Sequence, residues 1–459
     1  MVREHRKFFL AAALAGLILR VLFLAYFPAV TDDSRIYADF ATNWARHSIY
    51  GQTESGKVVP TDTRLPGYPA FLAAIFALFG SGNLKAVMLV QILVDLGTCF
   101  IVADLARRTL SDRAARIAFV LAALCPFLAN YAAAALTETL EVFFTTLVFD
   151  CAVAALDRMN LEQPCARLWA ATGAAVGACI LLRPDGGILL AVLGLYLIFQ
   201  AWRRRDRSIV PVAMAATLVA GLAVAPLVPW TIRNFRTLHH FQPLAPRYAN
   251  EIDQPALRGF NRWVKTWIVD YASVEEIYWA IPGDKLDAAK LPNRAFDSPQ
   301  QQGRTLALIA DYNQSQEMTP ELDARFGELA IERIGSHPLR YYLVLPALRI
   351  ADMWLRPRTE ILPPDVRWWE FNDDPKASVM AVGFGLLNLI YVGTALLALV
   401  RRPTGIRYAG LFVIFLLLRS AFLGTLENPE PRYTLECYPV VILLGTVFLN
   451  QNSRWMANP

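Results

Sequence analysis

The chain has 459 residues, 55% of them hydrophobic and only 18% charged, with a formal net charge of +5. A soluble domain is usually about 45–50% apolar and about 25% charged. The excess lies in blocks such as Phe8–Pro28, Met380–Val400 and Leu411–Leu423. Such blocks approach the roughly 20 residues that cross a bilayer core. A set of two or three soluble domains is thereby excluded in favour of a helix bundle with one extramembrane domain.

Met1–Lys7 is basic and Phe8–Phe27 is apolar, as in a signal peptide. The apolar run is longer than a signal core and ends at Tyr26-Phe27-Pro28 without a small-x-small cleavage pattern. It reads as a retained first helix with its basic end inside. From that start the spans fall at 8–28, 84–106, 114–130, 137–156, 168–182, 186–202, 209–229, 377–400, 406–424 and 433–450. The inner turns then carry Arg3, Arg6 and Lys7; Arg107, Arg108, Arg113 and Arg116; Arg158 and Arg167; Arg203, Arg204, Arg205 and Arg207; and Arg401, Arg402 and Arg407. Each is basic, as the positive-inside rule requires. This predicts an all-α polytopic protein of about ten transmembrane helices in a plasma (inner) membrane, both termini cytoplasmic. Its domains are an N-terminal transmembrane module (1–229) with a first outer loop at 29–83, an extracytoplasmic loop domain (230–376), and a C-terminal transmembrane module (377–459).

Tyr68–Gly80 is apolar but short, and reads as interfacial or re-entrant. Leu168–Trp202 reads as a hairpin broken at Arg183-Pro184-Asp185-Gly186, because proline ends the helix and Pro-Asp-Gly is turn chemistry. The tail of the large loop, Leu339–Leu355, has apolar residues interrupted by Arg340, Arg349 and Asp352, and is expected along the membrane surface. Six cysteines, at 99, 125, 151, 165, 179 and 437, include none between 231 and 376 and form no C-x-x-C pair, so a disulfide-stapled loop and a zinc ribbon are both excluded.

In the first outer loop, Ile36, Phe40 and Trp44 recur at helical spacing, so a short amphipathic helix starts near Ser34. Asp32 and Asp33 sit at its N-terminus. They read either as helix capping groups or as a carboxylate held at the membrane face as a general base. Tyr37 lies one turn after Asp33 on the same face. Thr63-Arg64-Leu65-Pro66-Gly67-Tyr68-Pro69 then forms a rigid turn into the interfacial segment.

An acid four residues before Tyr37, followed by Pro66-Gly67-Tyr68-Pro69, resembles the GT-C superfamily of polyprenyl-phosphate-sugar-dependent glycosyltransferases. The likeness is greatest to bacterial protein-mannosyltransferase-like and aminoarabinose-transferase-like members. Leu136-Thr137-Glu138-Thr139-Leu140, Leu181-Leu182-Arg183-Pro184-Asp185-Gly186, Pro229-Trp230-Thr231-Ile232-Arg233-Asn234 and Glu430-Pro431-Arg432-Tyr433 resemble further passages of that family. Each motif is short; together they run through nearly the whole chain, while 250–340 carries no recognised motif.

The resemblance implies an inverting sugar transfer on the outer face, from a polyprenyl-phosphate-linked donor in the lipid to an acceptor glycan, lipid or protein, with no nucleic acid involved. It assigns the base to Asp33, with Asp32 as the alternative. Glu138 is a second acid near the site, or simply an acid favoured by its helix dipole. No cofactor is required by any motif, a divalent metal is left open, and no His spacing marks a metal site. An anionic leaving group needs fixed cations at headgroup depth, and arginine suits phosphate. Arg20, Arg183, Arg419 and Arg432 are the candidates, each also able to snorkel or pair. Tyr37, Arg64, Tyr68, Asp95 and Tyr433 are candidates for positioning substrate. Asp95 pairs with one of the arginines or lines the cavity, and Asp150 has no evident partner. Competing classes are a transporter or flippase of a lipid-linked saccharide, and a non-catalytic GT-C-like partner in envelope glycan assembly.

Overall fold

The computed structural model describes residues 4–203, 208–247, 256–371, 374–401 and 405–455, with side chains to 449. Arg3, Arg204, Arg205, Arg207 and Arg402 lie outside the described residues. The chain divides into two compact units. One is Met1–Ile252 with Tyr391–Leu416 and Leu435–Pro459; the other is Asp253–Ile390 with Leu417–Thr434.

The first unit begins with α1 (Arg6–Tyr26), α2 (Asp32–His47), a hairpin of β1 (Gly51–Glu54) and β2 (Lys57–Pro60), and α3 (Gly67–Phe79). It continues through α4 (Leu84–Thr109), α5 (Asp112–Ala123), α6 (Pro126–Ala132), α7 (Glu138–Asn160), α8 (Ala166–Leu182), α9 (Ile188–Arg203), α10 (Val210–Val224) and α11 (Leu227–Leu238). Each expected span overlaps a helix, although 114–130 falls on the pair α5–α6 and 209–229 runs across α10 into α11. Seven helices among the described residues are long and apolar enough to cross a membrane, and the bent pair α5–α6, angled at 52°, makes an eighth. The α8 helix has 17 residues, short of the roughly 20 that span a bilayer core. The expected break at Arg183–Gly186 is present: Arg183 is extended, and a 3₁₀ turn over Pro184–Gly187 reverses the chain into α9.

The helix α7 is largely enclosed, and it packs on α4 and α8. The pairing of α8 with α10 depends on small residues, because a Cβ on Gly173 would lie 2.8 Å from the Leu218 carbonyl oxygen. Such close backbone approach is how helices associate when lipid removes the hydrophobic drive. At one end of this unit, Arg407 N–H donates to the Thr109 carbonyl at 3.0 Å. Its guanidinium also pairs with Asp157, and Asn160 donates to the Tyr408 hydroxyl at 3.0 Å. Three turns expected on the inner side therefore meet. Among turns expected on the outer side, Ala29 bridges Ala134 and Arg233 donates to the Thr61 carbonyl at 2.8 Å.

The second unit contains α12 (Arg258–Val264), the single turn α13 (Tyr271–Ser273), α14 (Pro299–Ser315), α15 (Pro320–Ser336) and α16 (Leu345–Leu355). Phe260, Trp263, Trp267, Tyr312 and Phe326 fill its core. Asp323 accepts from the backbone N–H groups of Gly259 and Phe260, tying α12 to α15. The charges that interrupt Leu339–Leu355 are used within this unit. Buried Arg349 donates to the Ile268 carbonyl at 2.9 Å, Arg340 pairs with Asp297 at 2.7 Å, and Asp352 accepts from the Tyr271 N–H.

Three further helices complete the chain: α17 (Pro375–Val400), α18 (Ala409–Gly424) and α19 (Tyr438–Trp455). All six cysteines are free thiols, five of them buried.

Candidate active site

Local chemistry sets the start of α2. Thr31 caps it, with Thr31 and Ser34 exchanging side-chain and backbone hydrogen bonds in a capping box. This leaves Asp32 and Asp33 in the first turn, free of the capping role that the sequence alone could not exclude. The helix then separates the doublet. Asp32 is 91% exposed and pairs with Arg35 along the surface. Asp33 is 32% exposed and turns to Arg64, whose Nη2 is 3.3 Å from its Oδ1.

Tyr37, one turn on, is buried beside Asp33. Burial pushes its phenol up to about 12; Asp33 adds to the rise, Arg64 and Arg183 oppose it, and Glu138 adds a smaller increment. Its ring meets Tyr68 edge to face, with centroids 5.0 Å apart. The Tyr68 hydroxyl donates to Gln91 at 2.7 Å, and Gln91 donates to the Ala134 carbonyl at 2.6 Å. The chain at 133–135 is itself bonded to Ala29, just before α2. The N-terminus of α7, with Glu138, is thus fixed beside the N-terminus of α2.

Arg183 sits among carboxylates: Glu138 at 3.9 Å, Glu141 at 3.6 Å and Asp185 at 3.4 Å. Both glutamates are almost wholly buried, and Arg183 is 22% exposed. Glu141, three residues after Glu138, escaped the sequence reading, although i, i+3 spacing puts both on one helix face. The turn at Pro66-Gly67 lies directly on the hairpin, since a Cβ on Gly67 would stand 2.6 Å from the Leu181 carbonyl oxygen. Asp33, Tyr37, Arg64, Tyr68, Glu138 and Arg183 are therefore brought together within the first unit.

Arg233 was also passed over as a site residue. It donates to the Tyr50 and Thr61 carbonyls, and its guanidinium lies over the rings of Tyr50 and Trp230 at 5.4 and 5.2 Å. The Tyr50 hydroxyl in turn donates to the Arg64 carbonyl at 3.0 Å. Arg233 thereby clamps the outer loop that carries Arg64.

Arg20 and Asp95 form a separate, enclosed pair. Their side chains are 0% and 2% exposed, with an N–O distance of 2.6 Å. Arg20 also donates to the carbonyls of Gly16 and Ala123. Asp150, for which the sequence offered no partner, lies 3.2 Å from Arg108. In the second unit, Arg432 pairs with Glu430 at 2.6 Å and stacks over Tyr433 at 5.5 Å. Buried Arg419 donates to the Tyr433 carbonyl, and Arg358 holds the Pro431 carbonyl at 2.8 Å.

The model of the dolichyl-phosphate-mannose-protein mannosyltransferase family matches residues 60–230, less than half of the chain. No curated protein matches the sequence. Among solved structures, the archaeal oligosaccharyltransferase AglB from Archaeoglobus fulgidus, in complex with an inhibitory peptide and a dolichol-phosphate, superposes with a TM-score of 0.55 at 13% identity, over 100% of this chain and 52% of that one. The apo form of the Archaeoglobus fulgidus oligosaccharyltransferase gives 0.51 at 14% identity, over 99% and 51%. ArnT from Cupriavidus metallidurans in the apo state gives 0.41 at 16% identity, over 98% and 78%. This chain spans about half the length of the oligosaccharyltransferase it matches.

The architecture shared with the oligosaccharyltransferase defines a class: this is an integral membrane protein with the fold of the GT-C superfamily of membrane glycosyltransferases. Its segment 60–230 is similar to the dolichyl-phosphate-mannose-protein mannosyltransferases.

Proposed function

We propose that the chain is a glycosyltransferase that moves a sugar from a polyprenyl-phosphate donor to an acceptor on the extracytoplasmic face, with inversion at the anomeric carbon. One observation carries the reading: Asp33, Arg64, Tyr37, Glu138 and Arg183 gather around the N-termini of α2 and α7. Two similarities support it, the mannosyltransferase family segment and the AglB complex that contains a dolichol-phosphate.

Asp33 takes the proton of the acceptor hydroxyl. The acceptor oxygen bonds to the anomeric carbon from the face opposite the phosphate. The carbon–oxygen bond to phosphate breaks, and its electron pair leaves with polyprenyl phosphate. Arg64 orients the base. Tyr37 stays protonated at physiological pH, because burial raises its phenol, and serves as a hydrogen-bond donor. Arg183 is the arginine of this cluster proposed to meet donor phosphate. Arg20 has a structural part, as the counter-ion of Asp95. The protein resides in a plasma membrane with both termini cytoplasmic.

The test is to incubate the purified protein in lipid vesicles with a radiolabelled polyprenyl-phosphate monosaccharide and cell-envelope acceptors. Label transferred to an acceptor, and lost in Asp33→Asn, is the expected result. Label that crosses the vesicle without chemical change would replace the transferase reading with a flippase.

A further inference from the structure

The second unit contains a cavity of about 800 Å³ that shares no residue with the Asp33 cluster. That volume lies within the roughly 300–1,000 Å³ of small-ligand sites. One wall is apolar, formed by Leu348, Ala351 and Leu355 of α16 and by Val382, Leu386 and Leu389 of α17. The α17 helix is long and apolar enough to cross a membrane, so hydrocarbon is the medium on that side. Leu386 and Leu389 are exposed in the protein alone. From Val382 to Leu389 the helix rises about 10 Å, enough to line part of one acyl chain.

The other wall changes character. Trp368 and Trp369 line it, the residue type that gathers at the membrane–water interface. Lys290, Arg294, Arg356 and Arg367 also line it, against two carboxylates, Asp270 and Asp352. Glu276 and Glu370 occupy Arg367, and Asp270 pairs with Arg294. Lys290 pairs with Glu276, at 3.5 Å, and is 46% exposed. Arg356 is buried, lies 3.6 Å from Asp352, donates to the Val366 carbonyl, and has the rings of Tyr271 and Trp369 at 5.7 and 5.3 Å. A guanidinium fixed by stacking keeps its orientation, which suits it to a phosphate. An aliphatic trough that leads to an aromatic rim and a mouth lined by four cations against two carboxylates is complementary to an anionic amphiphile.

We propose that this cavity binds one anionic phospholipid of the surrounding membrane, with its phosphate at Lys290, Arg294 and Arg356 and an acyl chain along α17. This site is independent of sugar transfer, and its test reads binding alone. The full chain in neutral detergent is titrated with phosphatidylglycerol, phosphatidylcholine, inorganic phosphate and undecaprenyl phosphate, and bound lipid is counted by native mass spectrometry. The expected result is one tightly retained phosphatidylglycerol, held at least tenfold more tightly than phosphatidylcholine and not displaced by inorganic phosphate. Lys290→Gln weakens it about tenfold at the headgroup, and Ala351→Phe weakens it by filling the trough, both with unchanged thermal melting. Equal retention of the two phospholipids would overturn the proposal. So would full binding in Ala351→Phe, or displacement by inorganic phosphate, which marks a simple anion site. Undecaprenyl phosphate that displaces phosphatidylglycerol at lower concentration would also overturn it, by making the cavity a prenyl-lipid groove.

Discussion

Arg64 and Asp33 lie 31 residues apart in sequence, yet the guanidinium of one stands 3.3 Å from the carboxylate of the other. That ion pair joins the first turn of α2 to the turn before α3, and it distinguishes Asp33 from its neighbour. Asp32 points to solvent with Arg35. A base is worth roughly 10²–10⁴ in rate. Asp33→Asn is expected to lower transfer by that factor, while Asp32→Asn stays within about twofold of the native protein. Initial rates with labelled donor, normalised to folded protein, decide between the two carboxylates.

Arg183 is the counter-ion of three carboxylates, so Arg183→Ala is expected to act twice. It leaves buried acids crowded without a cation, at a cost of about 3–5 kcal/mol, and it removes a donor contact. A second change separates the effects. Glu141→Gln in the Arg183→Ala background is expected to restore much of the melting temperature and none of the transfer rate. Recovery of both together would confine Arg183 to a structural part.

For Arg20 the expectation is reversed. Its pairing with Asp95 is sealed from solvent, and breaking a buried pair from one side costs about 3–5 kcal/mol. Arg20→Met is expected to unfold at lower temperature by that measure. Arg20→Met with Asp95→Leu is expected to recover most of it, and transfer per folded molecule should hardly change. A variant that melts normally but binds donor poorly would return Arg20 to the active site.

Asp352 gives a pH dependence. Burial raises its carboxyl to about 6, with Arg356 opposing and Asp270 adding to the rise. The ordinary value is about 3.9, so the folded protein binds more protons than the unfolded chain between about pH 4 and 6. Stability from this group is therefore greatest below pH 4 and falls as pH rises to 6. Asp352→Asn is expected to flatten that slope in thermal melts. As pH falls through 6, Arg356 loses its carboxylate neighbour, and phosphatidylglycerol retention is expected to rise in the native protein but not in Asp352→Asn.

Much of this was legible in the sequence because it is periodic or local. Asp33 and Tyr37 share a face by the helical repeat, the apolar runs mark the helices, and Pro184 marks the hairpin break. Pairings that depend on chain folding were not legible. An arginine partner was one of two readings of Asp95, but not which arginine: it is Arg20, 75 residues away, while Arg108 meets Asp150, 42 residues away, with no local pattern to announce it. The β1–β2 hairpin also went unseen. Its strands have four residues each, too few for alternation to register, and its turn rests on Ser55 and Gly56 at positive φ. The Arg233 clamp on the outer loop acts through backbone carbonyls at Tyr50 and Thr61, which any sequence supplies equally.

The hydrogen of Gly67 is all that separates the outer loop from the Leu181 carbonyl. Two stretches of polypeptide over a hundred residues apart are thus seated as parts of one casting. Reactive groups aligned by folding spare each turnover the entropy of assembling them. Any motion within this unit has to hinge somewhere other than this seam.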